Sequence, residues 1–145
     1  LRLKAVAGDK AEILTAKGCN LMSDAEYEKR ATMFGRSLHR DNRSDKELLD
    51  EALAVAAKSD VIVAALGESS EMSGESSCRT NLEMTDTPTH AVTRIIETGN
   101  QWLLVLFTGR PLVLNWEQAN VPAILNVWFA GSEAGLPSVM YCLVM

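Results

Sequence analysis

The chain has almost nothing that would mark a metal, nucleotide or nucleic-acid protein. Its three cysteines, Cys19, Cys78 and Cys142, stand far apart, with no C-x-x-C and no Cys/His cluster. A zinc site therefore has no ligand set, and an odd count does not complete a disulfide framework. There is no basic block, and the net charge is −5. Binding to a phosphate backbone rests on clustered Lys and Arg, so a nucleic-acid partner is not expected. No G-x-x-x-x-G-K-[ST] and no G-x-G-x-x-G follows a strand-like run, and no cofactor is expected. The G-x-S-x-G elbow of a Ser-His-Asp hydrolase is missing as well. No apolar run approaches the roughly 20 residues that cross a bilayer, so no membrane partner is expected. The first residues, Leu1-Arg2-Leu3-Lys4, have neither a signal-peptide layout nor an initiator Met. They read as the start of a piece cut from a longer chain.

What is present is a globular pattern of 145 residues, enough for one domain with a core. Asp60 to Glu68 is a short apolar run rich in β-branched residues, which reads as a strand buried on both faces. Composition then turns abruptly to Ser, Gly and Glu from Ser69 to Thr80, a loop leaving the strand's carboxyl end. Ahead of it, Ser44 and Glu47 have capping-box spacing, and Leu48, Leu49, Ala52, Leu53, Val55 and Ala56 recur at helical intervals. This predicts a helix feeding the strand. A second helix is predicted over Thr87–Thr98, with Pro88 in its first turn and Gly99 as its stop. Strands are predicted at Ala11–Ala16, Trp102–Phe107 and Val121–Phe129, and a short helical stretch at Trp116–Asn120. Residues Leu1 to Lys10 show no clear pattern.

Ser23 to Asn42 is polar and reads as a long surface connection, partly helical from Asp24 to Met33. Its arginines, with Arg43 beyond, fit a solvated surface better than an entrance for an acidic substrate. Trp128 and Phe129 read as core residues, one of them within reach of a site's mouth. His90 falls on a helix and reads as a surface or packing residue.

Alternating strands and helices predict an α/β three-layer sandwich: a mostly parallel sheet of about five strands with helices on both faces. The loops at Glu68–Asn81, Thr108–Pro111 and Ala130–Gly135 would then share one edge. In open α/β sheets, ligands bind at that edge. Glu68, Glu71 and Glu75 all lie in the first loop, and one of them is a candidate acid/base for a sugar. Glycoside hydrolysis needs two carboxyl groups on opposite sides of the scissile bond. Nothing in one loop places two of these glutamates that way.

Five segments, in order, carry a resemblance that covers most of the chain from Ala11 onward. They are Ala16-Lys17-Gly18-Cys19-Asn20, Ser59 to Glu68, Met72 to Leu82 (Met-Ser-Gly-Glu-Ser-Ser-Cys-Arg-Thr-Asn-Leu), Gly109 to Leu114, and Ala123 to Gly135. Together they resemble the C-terminal α/β-sandwich domain of glycoside hydrolase family 3, the β-glucosidase type. The resemblance implies that residues 1–145 form a single, truncated C-terminal domain. An N-terminal TIM-barrel domain of the same parent chain, absent here, would carry an Asp nucleophile. It further implies a retaining mechanism on an oligosaccharide or β-glucoside substrate, with Glu75, in Ser73-Gly74-Glu75, as the acid/base. The isolated chain is expected to be inactive. Apolar surface left bare by the missing barrel is expected to favour self-association of the fragment. The segment after Ala130-Gly131-Ser132-Glu133-Ala134-Gly135 departs from the family's pattern and stops at Met145. The rival reading is a non-catalytic α/β module that binds sugar or packs against a partner.

Overall fold

A computed structural model describes residues 2–22, 24–26, 40–68, 72–73, 78–84, 86–99, 101–129 and 131. A helix, α1, spans Arg2–Ala7 and runs into a 3-10 turn at Gly8–Lys10. This corrects the patternless reading of the first ten residues. Leu, Lys and Ala are all good helix formers, and Ala7 is buried. Ala11–Ala16 forms no strand, although its alternation favours one. Ala11 has an extended backbone, but no strand among the described residues pairs with this stretch, and most of it is exposed.

The helix α2 spans Asp45–Ala56 and starts as its sequence dictates. The Ser44 hydroxyl accepts from the Glu47 amide, and the Glu47 carboxylate accepts from the Ser44 amide at 2.8 Å. Both orphan donors are satisfied reciprocally. The Ser44 hydroxyl and amide also hold the Glu47 carboxyl below its usual pKa. The strand β1 (Val61–Gly67) follows after a tight turn, then α3 (Asp86–Ile96), β2 (Gln101–Phe107), the short α4 (Asn115–Asn120) and β3 (Ile124–Asn126).

The three described strands lie in the order β1-β2-β3, all parallel. Val61 pairs with Gln101 and Gly67 with Phe107, while Leu104 to Leu106 pair with Ile124 to Asn126. Parallel neighbours need crossovers, which α3 and α4 supply. The main core forms on the face carrying Ala64, Trp102, Leu104 and Leu106, closed over by Met84 and Val121, with Leu112 and Leu114 packed alongside. Leu103 and Val105 point the other way and are buried too, so the middle strand is covered on both sides. The helix α3 touches β1 and α2. The result is an α/β sandwich, with three parallel strands among the described residues where about five were expected.

The strand β1 departs from its expected burial on both faces. Val61 and Val63 are 57% and 40% exposed, while Ala64 opposite is buried. In the described sheet β1 is an edge strand, and only its even-numbered face lies over the core. The strand predicted over Val121–Phe129 shrinks to Ile124–Asn126, because Pro122 precedes it and Trp128 leaves the extended region at φ 54°.

Asn20 ties two segments that are distant in sequence together. Its side chain is 1% exposed. Its amide donates to the Asp41 carbonyl at 3.2 Å, and its Oδ1 accepts from the Asp41 amide at 2.9 Å and from Lys17 Nζ at 3.0 Å. Asp41 and Glu51 also take the Arg43 guanidinium at 2.7 Å each. Arg40 donates to the Met22 carbonyl. These two arginines of the polar connection therefore serve local structure; Arg30 and Arg36 lie outside the described residues, as does most of the helix predicted over Asp24–Met33.

Two outcomes follow. Asn20→Asp sets a carboxylate against the Asp41 carbonyl and should cost about 2–3 kcal/mol in urea unfolding, because a buried acceptor replaces a donor. Ser44→Ala should cost about 1 kcal/mol near neutral pH. The Glu47 share of that increment is present above the unfolded carboxyl's value and disappears as pH falls through the lowered folded value. The gap between wild type and Ser44→Ala in unfolding midpoints should therefore narrow in acid.

Candidate functional site

The carboxyl ends of β1, β2 and β3 meet at one rim. Gly67 brings the first two together most closely. A Cβ placed on it would sit 1.9 Å from the Phe107 carbonyl oxygen, and its φ of 153° is one that only glycine adopts readily. The next amide, of Glu68, donates to that same Phe107 oxygen at 2.9 Å. Glu68 is thus fixed to the sheet frame.

The Glu68 carboxylate turns inward, its side chain 1% exposed. The Arg79 guanidinium pairs with its Oε1, and Arg110 Nε lies 3.8 Å from its Oε2. Arg79 also donates to the Glu83 carbonyl at 2.9 Å, and Arg110 donates to the Met72 carbonyl. Both arginines are less than a fifth exposed. Oε2 and Arg110 Nε face each other without a hydrogen-bond partner among the described residues. Burying a carboxylate is tolerable only with such charge beside it. Of the three loop carboxylates, Glu68 is thus buried against two arginines rather than presented to solvent. Glu71 and Glu75 lie outside the described residues.

The turn after β2 packs into this cluster. Gly109 lies so close to Ser73 and Phe129 that a Cβ there would approach Ser73 Oγ and Phe129 Cε2 to 2.5 Å. The loop after β1, the turn after β2 and the segment after β3 therefore converge on one spot. Thr108, 1% exposed, donates its hydroxyl to Asn126 Oδ1 at 3.3 Å, and the Trp128 amide donates to the same oxygen at 3.2 Å. Trp128 then turns to φ 54°, a conformation that costs a bulky residue about 1–3 kcal/mol. Trp128 and Phe129 are 48% and 44% exposed. They are not core residues: the turn at Trp128 carries both out of the sheet's interior, to its mouth. His90 is exposed on α3. Cys19 is half-buried and Cys78 exposed, both as free thiols, with burial pushing the Cys19 thiol up. No group of three or more His, Cys, Asp or Glu capable of holding a metal occurs among the described residues.

Sequence reasoning marked Glu68 as one loop acid among three and missed its arginines. The available signal was weak: an acidic residue directly after an apolar strand, with Arg79 and Arg110 each inside a predicted loop. Gly67→Ala should separate β1 from β2 where Glu68 is held. The expected loss is above about 3 kcal/mol in chemical denaturation, since neither strand backbone can yield locally.

Residues 3–143 match the family model described as the glycosyl hydrolase family 3 C-terminal domain. A periplasmic beta-glucosidase of Salmonella typhimurium is 40% identical over 128 residues, which is 88% of this chain and 17% of that protein. A beta-xylosidase of Formosa agariphila is 32% identical, over 92% of this chain and 16% of its own length. Among solved structures, a β-glucosidase from Erythrobacter marinus superposes with a TM-score of 0.72 at 27% identity, over 98% of this chain and 20% of its own. A β-glucosidase from Listeria innocua, solved in complex with isofagomine, gives 0.64 at 28% identity, over 67% of this chain and 14% of its own. The chain spans about a sixth of the length of the curated relatives it matches. It belongs to the glycosyl hydrolase family 3 C-terminal domain family.

Proposed function

We propose that this chain is the second domain of a retaining β-glucosidase-like enzyme, and that Glu75 is its proton donor. One observation carries the reading. Loops from three parallel strands converge at the carboxyl rim, and the loop that contains Glu75 is anchored there by Glu68, Met72, Ser73 and Arg79. Family membership and the small share of each relative's length support a larger enzyme around it.

The chemistry follows from what one carboxyl group can do. In a retaining hydrolase a carboxylic acid protonates the departing oxygen while a carboxylate about 5–5.5 Å away attacks the anomeric carbon. The same acid, now ionised, then draws a proton from water as the glycosyl-enzyme is hydrolysed. With Glu68 sealed by its arginines, this domain brings Glu71 and Glu75 as loop carboxyl groups; family resemblance selects Glu75. The attacking Asp comes from a TIM-barrel domain of the parent chain. The chain alone is then inactive, and the sugar lies between the two domains.

A binding-only module is the second reading, and the half-exposed Trp128 and Phe129 at the rim favour it. Aromatic side chains joining an apolar face to a wet edge suit a sugar. Titration of the isolated chain with glucose or cellobiose separates the two: saturable binding without the barrel supports the module, and its absence supports the half-site.

In the full-length protein, Glu75→Gln should slow hydrolysis of poor leaving groups by about 10²–10⁴-fold, the usual scale of general acid catalysis. Activated aryl glucosides should suffer less in their first step, and azide should partly restore their turnover. Near-normal hydrolysis of cellobiose by Glu75→Gln would refute the assignment.

A further inference from the structure

We infer that Glu68, Arg79 and Arg110 are positioning residues: a buried clasp that aims the proton donor by holding its loop at three points. The inference rests on the acid/base reading above and extends it to residues that touch no substrate.

The first point is Glu68 itself, bound through its amide to the end of β2. The second is Arg79, eleven residues along, whose guanidinium brings the returning chain back onto the Glu68 carboxylate. The other nitrogen of Arg79 reaches the Glu83 carbonyl, next to the buried Met84. The third is Arg110, from the turn after β2, which grips the Met72 carbonyl while its Nε faces Glu68. Met72 is 6% exposed, and Ser73 packs against Gly109. In sequence, Glu75 stands two residues after Ser73 and four before Arg79.

Stability alone does not account for such a cluster. The desolvation of a buried ion pair roughly cancels its attraction, and an apolar replacement is often as stable. Here one carboxylate oxygen and one guanidinium nitrogen are buried without a hydrogen bond among the described residues, a cost a purely structural pair would shed. What the cluster supplies is direction. A charged fork and a buried carboxylate fix the strand end, the mid-loop carbonyl and the loop's return relative to one another.

The test compares four forms of the full-length protein: wild type, Glu68→Gln, Glu75→Gln and the double variant. Each is assayed on cellobiose and on 2,4-dinitrophenyl β-glucoside. Glu68→Gln should lower kcat on cellobiose by about 10²-fold, the scale on which a misplaced group acts, with KM changed less than about threefold. In kcat/KM on the dinitrophenyl substrate, which reports the first step alone, it should lose far less. The double variant should be no slower than Glu75→Gln, because one group acts through the other. Losses that multiply, or a Glu68→Gln enzyme within about threefold of wild type on cellobiose, overturn the clasp. Thermal melts check folding. Should Glu68→Gln not fold, Arg79→Lys keeps the charge but loses the fork. It should show the same leaving-group dependence with a loss of about tenfold, and a loss equal on both substrates overturns the proposal. A normal rate in Glu75→Gln alone removes the acid/base reading and the clasp with it. A slowed Glu75→Gln beside a normal Glu68→Gln removes only the clasp.

Discussion

A carboxylate out of water has to be met by positive charge, and at the end of β1 that requirement organises everything nearby. Glu68 cannot retreat, because its own amide is spent on the Phe107 carbonyl. The charge must therefore come to it, from Arg79 on one side and Arg110 on the other. Each arginine brings its own stretch of backbone along. A loop, a turn and a strand end that are far apart in sequence are thereby drawn onto one group.

The sheet makes that convergence possible. Parallel strands end on the same side, so loops leaving β1, β2 and β3 emerge together. The middle strand is sealed on both faces and provides a rigid reference. Gly67 removes the one Cβ that would have kept β1 and β2 apart at their ends. Apolar burial thus holds the frame, and polar contacts are spent where the frame opens.

How much of this could be read from residues alone divides by range. The start of α2 was legible because Ser44 and Glu47 act within one turn. The strand β2 was legible because an unbroken run from Trp102 to Phe107 has few other ways to be satisfied. The exposure of Val61 and Val63 was not, since it depends on which strand sits at the edge, and β1 has no local mark of that. Ala11–Ala16 alternates convincingly yet has no strand to pair with among the described residues. At the rim, Glu68 was visible as an acid but not as a sealed one. Its fate is set by two arginines eleven and forty-two residues downstream, which only the folded path brings near.

The double link between Asn20 and Asp41 bears on how this chain can change over time. It closes a circuit: whatever lies between the two residues leaves from one point and comes back to it. Closing a circuit grows harder only with the logarithm of its length, so doubling the excursion costs about 0.6 kcal/mol. A change in the length of that stretch therefore costs little in closure, so long as the link itself is kept.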